Sequence, residues 1–145
     1  MTDLSTFKDL TQTTYDSVQG YQAAIEKAES PHLKQALQER CEQRQDSLQT
    51  LNSTLRQFGE EPVMSESMSA SAHQTFMSIA DAFESGNEAA AERVEEGEDY
   101  LAGKFRDALE DNDLDPAIRQ TVQKVYSEIQ AGERFGDRIE MQYDS

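Results

Sequence analysis

The chain has no tryptophan, a single cysteine, three prolines and seven glycines among its 145 residues. The lone cysteine, Cys41, excludes an internal disulfide and fits a reducing compartment such as the cytoplasm. With so few helix breakers, and with no alternating β-branched run to compete, the expected class is all-α. No run of ~18 apolar residues is available to span a bilayer. The first residues, from Met1 to Lys8, lack the charged-then-apolar pattern of a secretory signal. Cations are also scarce: 13 Lys and Arg stand against 29 Asp and Glu, a formal net charge of −16. That balance disfavours nucleic acid and anionic membranes as partners, because phosphate contacts need Lys and Arg. An acidic surface attracts cations, but it serves equally as a solubilising coat. No glycine-rich loop leads into Lys and Ser/Thr, and no histidine stands near a serine as a base would stand near its nucleophile. Cys41 falls on an apolar helix stripe and reads as a packed thiol.

What the sequence does contain is helical periodicity over a single domain, residues 1–145. The spacing of Leu4, Phe7, Leu10, Thr14, Val18, Tyr21 and Ile25 predicts a helix over 3–28. Ser30-Pro31 is a start signature, a capping residue followed by proline at the first helical position. The next helix, 31–58, carries Leu33, Leu37, Cys41, Arg44, Leu48, Leu51 and Leu55, and Gly59 and Pro62 end it. A weaker pattern with Ala72, Phe76, Ile79, Ala80 and Phe83 predicts a helix over 65–85. Its twenty or so residues would cover about 30 Å, enough to carry the chain from one end of a bundle to the other. Helices over 87–111 and 115–143 follow, separated by a turn in which Asp115 caps and Pro116 starts the last one. In that last helix Gly132 and Gly136 share the inner face and imply close helix–helix approach. The pattern is two antiparallel hairpins joined by a crossover helix, the connection of a ferritin-like four-helix bundle.

The third long helix holds an anomaly. Val94, Leu101, Phe105 and Ala108 define an apolar face, yet Gly97 and Glu98 occupy the next position due on it. A mid-helix glycine costs about 1 kcal/mol relative to alanine, and an unpaired buried carboxylate costs several kcal/mol. Counted from the tight turns, Glu98, Glu128, Tyr15 and Arg44 all fall near mid-height. Two accounts compete, beside a third in which the stripe frays and Glu98 merely reaches water. In one, Arg44 pairs with Glu98 or Glu128, with Tyr15 adding a hydrogen bond. In the other, inward carboxylates hold a metal. A ferritin-like di-iron site needs Glu-x-x-His motifs on two helices. The chain has only His32 and His73, neither placed three residues after a glutamate, while the second helix offers Glu39-x-x-Glu42 instead. An all-carboxylate site would favour harder ions such as Mn, Mg or Ca.

Taken in order, Gly20-Tyr21-x-x-Ala24-x-Glu26, Leu33-Lys34, His73, Glu95-x-Gly97-Glu98-Asp99, Ala108-Leu109 and Tyr126 resemble an uncharacterised bacterial family of ferritin-like four-helix-bundle proteins, over residues 5–140. The resemblance implies a cytoplasmic bundle without an assigned activity. It also implies a histidine late in the fourth long helix, where this chain has Glu133. It leaves Glu26, Glu95, Glu98 and Glu128 as candidate metal ligands for Fe or Mn. The expectation is therefore a bundle that is not an enzyme and acts through stress-related or protein–protein interaction. The alternatives are a carboxylate-rich metal-binding or oxidoreductase bundle, and a homodimer built on Phe76, Ile79 and Phe83.

Overall fold

A computed structural model describes residues 4–64, 86–111 and 114–143 of the chain. Among these residues there are four helices and no strand: α1 (Ser5–Lys27), α2 (Pro31–Gln57), α3 (Asn87–Glu110) and α4 (Pro116–Tyr143). The expected helix over 65–85, with His73, Phe76, Ile79 and Phe83, lies outside the described residues.

Local chemistry sets each boundary. The Ser30 hydroxyl accepts from the Leu33 amide at 3.3 Å, and Pro31 opens α2, where a missing N–H is no loss. At the other end of α2, Gly59 has φ +79°, the left-handed region that glycine enters without strain. Its amide donates to Arg56 O and the Glu60 amide to Leu55 O, so two carbonyls that the helix would orphan are paired. Asp115 caps α4 by accepting from the Ala117 amide at 2.9 Å. Arg119 then reaches back to the Leu109 and Asp111 carbonyls at the end of α3.

These caps also fix how the helices run. Residues 28–30 join α1 to α2 directly, so the two are antiparallel. The Gly86 amide donates to Lys27 O at 3.0 Å, which places the start of α3 at the end of α1. Asn87 Oδ1 accepts from both the Glu29 and Ser30 amides at 2.9 Å, clamping the α1–α2 turn to the same point. Helices α2 and α3 therefore start at one end of the bundle and run parallel. α1 packs on α2 and α3, and α4 packs on the same two, leaving α1 opposite α4 and α2 opposite α3. All neighbours are antiparallel. Because α2 is 27 residues long, its end lies about 40 Å from the start of α3.

The apolar core divides in two. Phe7, Leu10, Leu51, Leu55, Leu101, Phe105, Ile118, Val122 and Ile129 fill one end. Val18, Tyr21, Leu33, Leu37, Cys41, Val94, Phe135 and Ile139 fill the other. On α1 the intervening level is polar: Thr11 and Thr14 are fully buried and donate to the carbonyls of Phe7 and Leu10, one turn back. Asn87→Ala should lower stability by about 1–2 kcal/mol, because it leaves two amides of the α1–α2 turn unpaired. Asn87→Asp, which still accepts and sits at a helix start, should retain most of it. Chemical denaturation of the three proteins would test this.

Candidate functional site

Between the two apolar clusters lies a layer built around Arg44. Its side chain is fully buried, as is Glu98 to within 2%. The guanidinium grips Glu98 with both arms, Nη1 to Oε1 at 2.6 Å and Nη2 to Oε2 at 2.7 Å. On its other edge Nε donates to Glu128 Oε1 at 2.9 Å and Nη2 to Glu128 Oε2 at 3.2 Å. Ser17 accepts from Nη1, and Ser47 donates to Glu128 Oε1 at 2.7 Å. Arg40, one turn before Arg44, also pairs with the Glu128 carboxylate and donates to its carbonyl at 3.0 Å. The Tyr21 ring lies 5.6 Å below the Arg44 guanidinium carbon, within cation–π range. Four side chains thus form a neutral group of two guanidiniums and two carboxylates, with every arm of Arg44 used.

Burial alone would favour a neutral guanidine, but Glu98 and Glu128 outweigh it and hold Arg44 firmly charged. Glu128 behaves alike: burial would raise its pKa, yet Arg44, Ser47 and Arg40 bring it below the ordinary carboxylate value. Cys41 responds mainly to burial, which pushes its thiol up despite nearby Arg44, so the thiol is a poor nucleophile.

Two glycines of α4 make room for this layer. A Cβ on Gly132 would stand 1.7 Å from Glu98 Oε2 and 2.6 Å from Arg44 Nη2. A Cβ on Gly136 would stand 3.0 Å from Glu95 Cα. Gly136 thus serves the close backbone approach expected of both glycines, whereas Gly132 accommodates the carboxylate itself.

The four candidate ligands separate. Glu98 and Glu128 meet on Arg44. Glu95 lies on the outer α3–α4 face, where one oxygen each from Glu95, Asp99 and Asp137 fall within 4.8 Å of one another. Glu26 is exposed on α1, and Glu39 and Glu42 are exposed on α2. The hydroxyl expected from Tyr15 comes instead from Ser17. Tyr15 sits on a different face of α1, in an outer groove with Leu48 and Asn52. Sequence reasoning missed Arg40, Ser17 and Ser47. The one available signal was the helical spacing of Arg40, Arg44 and Ser47, which stacks them on one face of α2.

A hydrogen bond shared with Asp99, then partial burial and the charges of Asp99, Asp137 and Glu140, raise Glu95 to about 7. Glu133 is also raised, first by burial and then by Asp99, against the pull of Arg106.

The fold and layer define a helical-bundle protein with a buried, self-neutralised ion-pair network. The family described as Domain of unknown function (DUF2383) matches residues 3–111, and the chain belongs to that family. The matched span contains Arg44 and Glu98, while Glu128 and Gly132 lie beyond it. No curated protein and no solved structure matches.

Gly132→Ala should destabilise the bundle by about 3 kcal/mol or more, since the carboxylate or its arginine must move. In a Glu98→Ala background the same change should cost far less. A double-mutant cycle by denaturation measures that coupling. Stability should also peak in mild acid. Glu128, with a depressed native pKa, contributes stability that is present above its ordinary value of 4.5 and lost as pH falls through the native one. Glu95, raised from 4.5 to about 7, binds its proton more tightly in the native state, so stability falls as pH rises across that interval. Glu95→Gln should flatten the decline between pH 4.5 and about 7 in thermal melts without altering the acid limb.

Proposed function

We propose that the chain is a ferritin-like bundle that acts through protein–protein interaction, with an arginine standing where such bundles place metal. One observation carries this reading. Arg44 takes both oxygens of Glu98 and both of Glu128, so the inward carboxylates have their charge met by the protein itself. A cation entering there would have to displace a buried guanidinium. The helix directions support the fold: antiparallel neighbours, with α2 and α3 parallel across a diagonal, are those of a four-helix bundle with one long crossover. The formal charge of −16 supports a surface that meets basic partners, because the buried quartet contributes none of it.

A second reading, a carboxylate-rich Fe- or Mn-binding or oxidoreductase bundle, is favoured by the convergence of Glu95, Asp99 and Asp137. The test is elemental analysis of protein purified without chelator, with assays of iron oxidation and peroxide consumption, on wild type, Glu98→Gln and Glu95→Gln. The expected result is no stoichiometric metal and no turnover, with Glu98→Gln less stable by about 3 kcal/mol. Stoichiometric Fe or Mn that disappears in Glu95→Gln would establish the second reading. Metal that disappears in Glu98→Gln would mean that Arg44 yields to a cation, and would overturn the first.

A further inference from the structure

Helices α1 and α3 each place a glycine directly before a buried polar residue, Gly20 before Tyr21 and Gly97 before Glu98. All four line one narrow cleft between the two helices, together with Ser17, Arg93 and Val94. Among the described residues that line it, Gly20 and Arg93 are the two that are not buried. Inside it the Tyr21 hydroxyl, on a residue only 3% exposed, has Glu98 close enough to act on it but meets no protein acceptor in good hydrogen-bond geometry. Buried hydroxyls almost always find a partner in protein or ordered water. The ring is buried against the Arg44 guanidinium. Each Glu98 oxygen receives one arm of Arg44 and keeps a further lone pair. The space available to the centre of a water molecule is about 20 Å3, and one ordered water needs roughly 10–15 Å3.

We propose that this cleft binds one small neutral hydrogen-bonding molecule, water when nothing else competes, held between the Tyr21 hydroxyl and the Glu98 carboxylate. The chemistry selects against ions. An anion would face Glu98, and a cation would find that carboxylate already neutralised by Arg44, with Arg93 also lining the cleft. A water supplies both an acceptor for the phenol and a donor for the carboxylate. Burial, then the charge of Glu98 and, last, hydrogen bonding to it push the Tyr21 phenol well above its ordinary pKa against the pull of Arg44 and Arg40, so it remains a donor at neutral pH. The inference is independent of whether the bundle has a protein partner.

The experiment compares wild type with Tyr21→Phe, which keeps the ring, its packing and its contact with Arg44. High-resolution crystal structures should show a solvent peak within about 2.7–3.2 Å of both Tyr21 Oη and a Glu98 oxygen in wild type, and none there in the variant. Magnetic relaxation dispersion in solution should count one fewer long-lived water in Tyr21→Phe. A dry cleft with Tyr21 bonded directly to Glu98 would overturn the proposal. So would a peak that survives unchanged in the variant.

Discussion

The bidentate grip of Arg44 on Glu98 is the constraint on which the rest of the bundle depends. A buried ion pair adds little net stability over an apolar core of the same shape, but losing one partner strands a charge. The pair therefore acts mainly as a lock on register. Sliding any of the three helices that supply Arg44, Glu98 and Glu128 by one turn would carry a charge into the Leu- and Phe-rich cluster on one side or the other. The apolar ends of the bundle could tolerate such a slip far better than its middle. The polar layer thus chooses one arrangement among several that hydrophobic packing alone would leave close in energy.

Because this layer is electrically neutral, the surface charge is separate from it. Salt that screens the acidic faces over about 8–10 Å barely reaches a fully buried guanidinium. Where acids do crowd, as at Glu95, Asp99 and Asp137, the cause is the close backbone approach that Gly136 permits. Core geometry thus sets up a place where the surface resists its own charge.

Much of this was legible in the chain. The apolar stripes, the Ser30-Pro31 and Asp115-Pro116 starts, and the stop at Gly59 mark the four helices to within a residue or two of their observed ends. Arg44 and Glu98 stood out because each interrupts an apolar stripe, and a charge in such a place requires a partner. What was not legible depends on rotation about the helix axis. Tyr15 and Ser17 are two residues apart, about 200° around α1, and only the packed structure shows which one faces Arg44. Phe135 also packs in the core, and the inner face marked by Gly132 and Gly136 does not single it out. The Glu95–Asp99–Asp137 group draws on two helices, and among 29 acidic residues no pattern singles out three.

Gly132 has a further consequence, which concerns mutational history. The ion pair cannot be dismantled one substitution at a time without first exposing a charge to the core, and position 132 cannot gain a side chain while Glu98 remains. The three positions form a closed set: each blocks the acceptable changes at the others. A chain that acquires this layer is held to it by the lack of a viable first step away, whether or not any present activity requires it. Replacements at 44 and 98 should therefore occur together, and a side chain at 132 only where Glu98 is already gone.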